Sequence, residues 1–179
     1  MTFSKSLACL ALFASAVPAY AATQGTPGPT STGTVTINAT VTPEVSISNL
    51  NDIAFDATAL RTALNTGNKS VASDNVCVWS NNPDRSYFIT ATGDGAANAF
   101  TLNDGTRTIP YSASWATVGG EVALTAGQKS SKFTSNATGP NCGGSVSAAI
   151  NITLANAAIA AMEATTTYAG VLTLLVSPT

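Results

Sequence analysis

Apolar and polar residues alternate one by one along Gly33–Thr42, GTVTINATVT. Val35, Ile37, Ala39 and Val41 fall on one side, Thr34, Thr36, Asn38, Thr40 and Thr42 on the other. A period of two predicts an extended strand with an apolar row on one face and a hydroxyl and amide row on the other. Pro43 lacks an amide donor and fixes φ, which interrupts any ladder there. The odd-numbered apolar parity resumes at Val45 and Ile47, so two short strand segments are expected to hinge at Pro43.

Beyond that hinge the pattern is mostly β. Strands are predicted over 70–80, 86–92 and 99–102, then over Thr106–Trp115, 121–125, 130–135 and 145–154, and finally over Thr165–Val176. Asn81-Asn82-Pro83-Asp84, Gly93-Asp94-Gly95 and Gly119-Gly120 read as turns, and Asn103-Asp104-Gly105 is the strongest hairpin signal. Two passages have helical flavour. In Asp56–Asn65, Asp56 is placed to cap, Leu60 and Leu64 lie four apart, and Thr66-Gly67 closes the segment, which predicts a surface turn of helix at most. Ala155–Ala164 predicts one or two turns of helix or a loop. Many short strands with Gly and Asn turns describe an all-β sandwich.

Composition adds an address. The opening MTFSKSLACLALFASAVPAYAA has one Lys, an apolar run from Leu7 to Val17, and Ala19-Tyr20-Ala21. This is the layout of a secretory signal peptide cleaved after Ala21. Residues 22–33, with two prolines and three glycines, read as a flexible arm; 34–42 follow as a separate strand and 43–179 as one domain. The tail Ala169–Val176 is too short to span a bilayer, so no stable membrane insertion is expected. Charged residues make up 9% of the chain and the net charge is −2, with Arg61, Lys69, Arg85, Arg107, Lys129 and Lys132 scattered. A phosphate-tracking surface needs clustered cations, so nucleic acid is excluded as an expected partner.

The chemistry available for catalysis is sparse. There is no His, and no Ser stands in a G-x-S-x-G turn. The turns carrying Asp94 and Asp104 each supply one carboxylate, short of the six to eight oxygens of a calcium site. The chain is therefore expected to be neither an enzyme nor a cofactor or metal protein. With Cys9 discarded in the signal, Cys77 and Cys142 remain as an even pair in an exported chain, which predicts a disulfide; two inert buried thiols are the alternative.

The two ends raise the question of assembly. The final strand is followed by only Ser177-Pro178-Thr179, so the sandwich is expected to lack its last edge strand. An open apolar edge invites another chain, and the loosely tethered 34–42 strand fits such a vacancy. Alternation alone does not separate the first strand of a chain's own sheet from the last strand of a neighbour's.

A resemblance bears on that choice. TVTINATVTPEVSI resembles the N-terminal donor strand, proline and first strand of major pilins from the colonisation-factor class of chaperone–usher fimbriae. IPYSASW, with Gly119-Gly120 after it, resembles the corresponding strand of those pilins. TTTYAGVLTLLVSP is similar to the final strand of chaperone–usher and spore-coat-U-like subunits. The cysteine pair departs from the colonisation-factor pattern and leans toward the spore-coat-U-like or archaic branch. The resemblance implies an incomplete immunoglobulin-like β-sandwich completed by a donor strand from a neighbouring subunit. It implies a homopolymeric, extracellular, cell-surface fimbrium serving adhesion or biofilm formation. A periplasmic chaperone and an outer-membrane usher would act during its assembly. Val35, Ile37, Ala39 and Val41 carry over as donor teeth, and Tyr168, Leu172, Leu174 and Val176 as one wall of the groove. Whether that face or Val171 and Leu175 points inward is left open, because both are apolar. The other readings are a self-complemented secreted sandwich and a tip adhesin.

Overall fold

The computed structural model describes residues 22–179; the signal-peptide assignment lies outside the described residues. Two units are distinguished, one ending at Val41 and one spanning Thr42–Thr179.

In the first unit Thr23 and Thr34 exchange two backbone hydrogen bonds of 3.0 Å each, so the arm closes a loop on itself. A chain with two prolines and three glycines needs only that one bridge to bend back. Residues 35–41 belong to no strand ladder, and Val35, Ile37 and Val41 are 77%, 89% and 81% exposed.

The second unit is an all-β, immunoglobulin-like sandwich of antiparallel strands. Its elements are β1 (Val45–Ser48), α1 (Ala57–Thr66), β2 (Ser70–Ser80), β3 (Ser86–Gly93), β4 (Thr101–Asn103), β5 (Thr108–Pro110) and β6 (Ser112–Thr117). They continue with β7 (Gly120–Ala123), β8 (Phe133–Thr134), β9 (Ala148–Leu154), α2 (Asn156–Ala160) and β10 (Leu172–Ser177). One sheet runs β1-β2-β9-β6-β7, the other β10-β3-β8, and β4-β5 is a hairpin.

The core lies where the two sheets face each other. β9 shows the cause most plainly: Ala148, Ile150, Ile152 and Leu154 are buried and the residues between them are not, as a period of two requires. Ala148, Ile150 and Ile152 form one wall with Val76, Val78 and Trp115, opposed by Tyr87, Ile89 and Ala91 of β3 and Phe133 of β8. Trp115 Nε1–H donates to the Tyr87 hydroxyl at 3.0 Å, so the largest buried side chain brings its one polar atom to a partner across the sheets.

Three expectations need correction. The final strand does not start at Thr165 but at Leu172, with Ala169 before it making an isolated bridge to Asn103. The helical passage is not a surface turn but a ten-residue helix, α1. Asp56 caps the Thr58 and Ala59 amides at 2.9 Å, and Gly67 closes the other end at φ +72°. A tertiary bond adds to this: Asn156, at the start of α2, donates to the Ala63 carbonyl at 2.9 Å, which also accepts from the Asn68 amide at 2.9 Å. The stretch Thr106–Trp115 is not one strand but two. β5 pairs with β4, whereas β6 crosses to the large sheet beside β9. Pro110 offers no amide at the change of partner, and Tyr111 N–H goes to the Phe100 carbonyl at 3.0 Å.

Cys77 and Cys142 form a disulfide with Cα atoms 5.8 Å apart, joining β2 to the loop before β9. It closes a span of 65 residues, for which chain entropy predicts about 4 kcal/mol. Replacing both cysteines by Ser is therefore expected to lower stability by about 2–5 kcal/mol in urea unfolding, and an unchanged midpoint would contradict this.

Candidate functional site

Two strands of the sandwich are edges that face each other. β10 pairs only with β3, and β1 only with β2. A groove of about 620 Å³ lies beside β10, between it and the chain that leaves β1, Leu50–Phe55. Ile150, Ile152 and Leu154 form its floor, Leu172 and Leu174 of β10 one wall, and Ile53 and Phe55 the other. Its surface is predominantly apolar, with Asp52 and Asp74 at the rim. Asp74 accepts from the Asn51 amide at 2.7 Å and from Asn51 Nδ2 at 3.0 Å, which fixes the chain leaving β1.

The two apolar rows of the final strand region differ in burial. Leu172, Leu174 and Val176 are part-buried and pack on the core, while Val171 and Leu175 are 62% and 61% exposed. Tyr168, Leu172 and Leu174 line the groove, and so does Val171; Val176 packs on the main core without lining it. Tyr168 belongs to the smaller apolar cluster of Ile109, Leu154 and Ile159. Val35, Ile37, Ala39 and Val41 are all exposed, and they lie in the other unit.

The β4-β5 hairpin closes one end of the groove. Asn103 and Ala169 exchange backbone bonds of 2.7 and 3.1 Å. Val171 N–H donates to Asp94 Oδ2 at 3.0 Å, Glu163 N–H donates to the Tyr168 hydroxyl at 3.0 Å, and Arg107 pairs with Glu163. Gly170 allows this close approach: a Cβ there would come within 2.4 Å of the Thr101 carbonyl oxygen. These closing residues carry no periodic signal. Only the Tyr-Ala-Gly run before the final strand hints at a backbone crossing.

Electrostatics follow the same contacts. Burial pushes the Tyr111 phenol, on the groove lining, above its usual range, and Asp94 adds to the effect. The hydrogen bond from Arg107 holds the Glu163 carboxyl below its ordinary value, and the backbone amides of Arg107 and Thr106 do the same for Asp104. Both are folded-state depressions, so their stabilisation is complete above the unfolded values and is lost as pH falls through the folded ones. Acidification below about pH 4 is expected to loosen the hairpin end first, by a small amount because these groups are exposed. Faster hydrogen exchange at the Asn103 and Ala169 amides, before the β9 amides change, checks it.

No family model matches the chain, and no curated protein is found similar to it. Among solved structures it is similar to a chain from a chaperone–tip adhesin complex described as vital for synergistic activation of CFA/I fimbriae biogenesis. The identity is 14% and the TM-score 0.45, over 76% of this chain and 41% of that one. The chain thus spans less than half the length of that neighbour. Among the described residues no group of three or more His, Cys, Asp or Glu side chains is placed to hold a metal ion, and no helix is long and apolar enough to cross a membrane.

Proposed function

We propose that this chain is a structural subunit of a chaperone–usher-type fimbria and polymerises by donor-strand exchange. The supporting observation is a pair of unfilled features. An apolar groove lies beside the open edge of β10, and a separate segment presents Val35, Ile37 and Val41 in one alternating row with Ala39, each of the three more than three-quarters exposed. Strand addition joins such features, with main-chain bonds giving affinity and alternate side chains filling the groove. Val35, Ile37, Ala39 and Val41 of one copy enter the groove of the next, alongside β10. The contact is head-to-tail and does not close on itself, so it makes a filament.

In this reading a periplasmic chaperone covers the groove before assembly, an outer-membrane usher mediates the exchange, and the filament stands on the cell surface for adhesion or biofilm formation. The chain is assigned no catalytic role, because it lacks the usual acid–base side chain. The test is a denaturing gel run without heating. Assemblies are expected to form a ladder that collapses to monomer on boiling; a single monomer band in the unheated lane would overturn the proposal.

A further inference from the structure

The pairing of β1 with β2 places Val45 opposite Ser80, so Glu44 falls opposite Asn81 and Thr42 opposite Pro83. Asn81 N–H donates to the Glu44 carbonyl at 3.1 Å, as a ladder requires. The reciprocal bond comes from a side chain: Glu44 N–H donates to Asn81 Oδ1 at 2.7 Å. Asn81 Nδ2 then donates to the Thr42 carbonyl at 2.8 Å. Pro83 has no amide with which to make that bond, and the chain is already turning back, with Arg85 N–H on the Asn82 carbonyl at 2.8 Å. Pro43 has no amide either. One carboxamide, with an acceptor and two donors, extends the edge ladder past the point where both backbones drop out.

Thr42–Glu44 is thereby held in line with β1. Next door, Asn82 Nδ2 donates to the Pro178 carbonyl at 2.9 Å, so the beginning of β1 and the end of β10 share one pole of the sandwich. A segment continuing β1 backwards from that pole travels away from the groove. To enter its own groove it would have to reverse at Thr42–Glu44 and lie parallel to β10, the slightly weaker pairing. Reversal breaks the Asn81 bonds.

We infer that Asn81 is an exit guide: it aims the donor segment outward and so commits it to a neighbour's groove instead of its own. The inference rests on the donor-strand reading above. Its importance follows from tethering, since a short-linked segment able to reach its own groove meets it at an effective concentration of about millimolar. Free neighbours at micromolar concentration lose that competition unless geometry forbids closure.

The experiment compares purified full-length wild type with Asn81→Ala and Asn81→Asp. Asn81→Ala removes both side-chain bonds and keeps the backbone one. The ratio of ladder to detergent-resistant monomer on unheated gels is expected to fall about tenfold, the scale of two side-chain hydrogen bonds. The melting temperature of that monomer should not vary with protein concentration, the mark of closure within one chain. Asn81→Asp keeps the acceptor for Glu44, loses the donor to Thr42 and is close to isosteric, so it decides the matter if the alanine variant does not fold. Its shift should run in the same direction. An undiminished ladder from folded Asn81→Asp, with no closed monomer, overturns the exit guide and leaves donor-strand assembly standing. A wild type without a ladder overturns the donor-strand reading and, with it, the guide.

Discussion

Replacing Ile37 by Asp is expected to erase the ladder while leaving export and the monomer's fold intact. Ile37 is the most exposed of the apolar teeth at 89%, so the monomer has little to lose by the change. Its burial in a neighbour's groove would contribute about 1.5–3 kcal/mol. The substitution forfeits that and sends a carboxylate onto a floor of Ile150, Ile152 and Leu154, beside Asp52 and Asp74 at the rim. Leaving a buried charge unpaired adds a penalty of several kcal/mol, or an equivalent cost in protonating it. Together these exceed about 4 kcal/mol, roughly a thousandfold in affinity for the segment. Thr36→Asp is the control, because the even-numbered row faces away from the groove in the proposed pairing. Persistence of the ladder in Ile37→Asp, or its loss in both variants, would contradict the assignment of teeth.

The fold was legible where a local period matched a buried face. β9 is the clearest case: SVSAAINITL alternates in the sequence, and the buried positions of Ala148–Leu154 follow that alternation. The caps of α1 were legible for the same local reason, since Asp56 and Gly67 act within a few residues of themselves. Its length was not, because Asn156 supports its end from about ninety positions away. The division of β5 from β6 depends on which sheet accepts each half, and Pro110 marks the place without naming the partners. On β10 two apolar rows competed, and only packing distinguishes Leu172 and Leu174 from Val171 and Leu175. Ile53, Phe55 and Met162 reach the groove from loops and turns, where no period exists to reveal it. Asn81 read as part of a turn; its second role appears only once Thr42 and Glu44 stand beside it.

Removing residues 22–42 and then supplying them as a peptide distinguishes assembly from a self-contained sandwich. Residues 35–41 take part in no ladder, so their deletion is expected to leave the melting temperature of the remaining domain within a few degrees of the full-length monomer. A first strand of the chain's own sheet would instead cost several kcal/mol, since it would carry ladder bonds and buried side chains. Adding GTVTINATVT in trans should then stabilise the truncated domain. At a hundredfold excess over its dissociation constant the peptide contributes about 2.7 kcal/mol, a rise on the order of 10 °C for a domain of this size. The same peptide carrying Asp in place of Ile37 should give almost no rise at equal concentration. The pattern that sinks donor-strand assembly is the reverse one: a large loss on truncation, with no recovery from either peptide. The physical content lies in the open edge of β10 and the groove beside it. A groove whose backbone groups and apolar walls are unfilled gains stability from whichever strand occupies it, and the calorimeter reports that gain whether or not the strand is covalently attached.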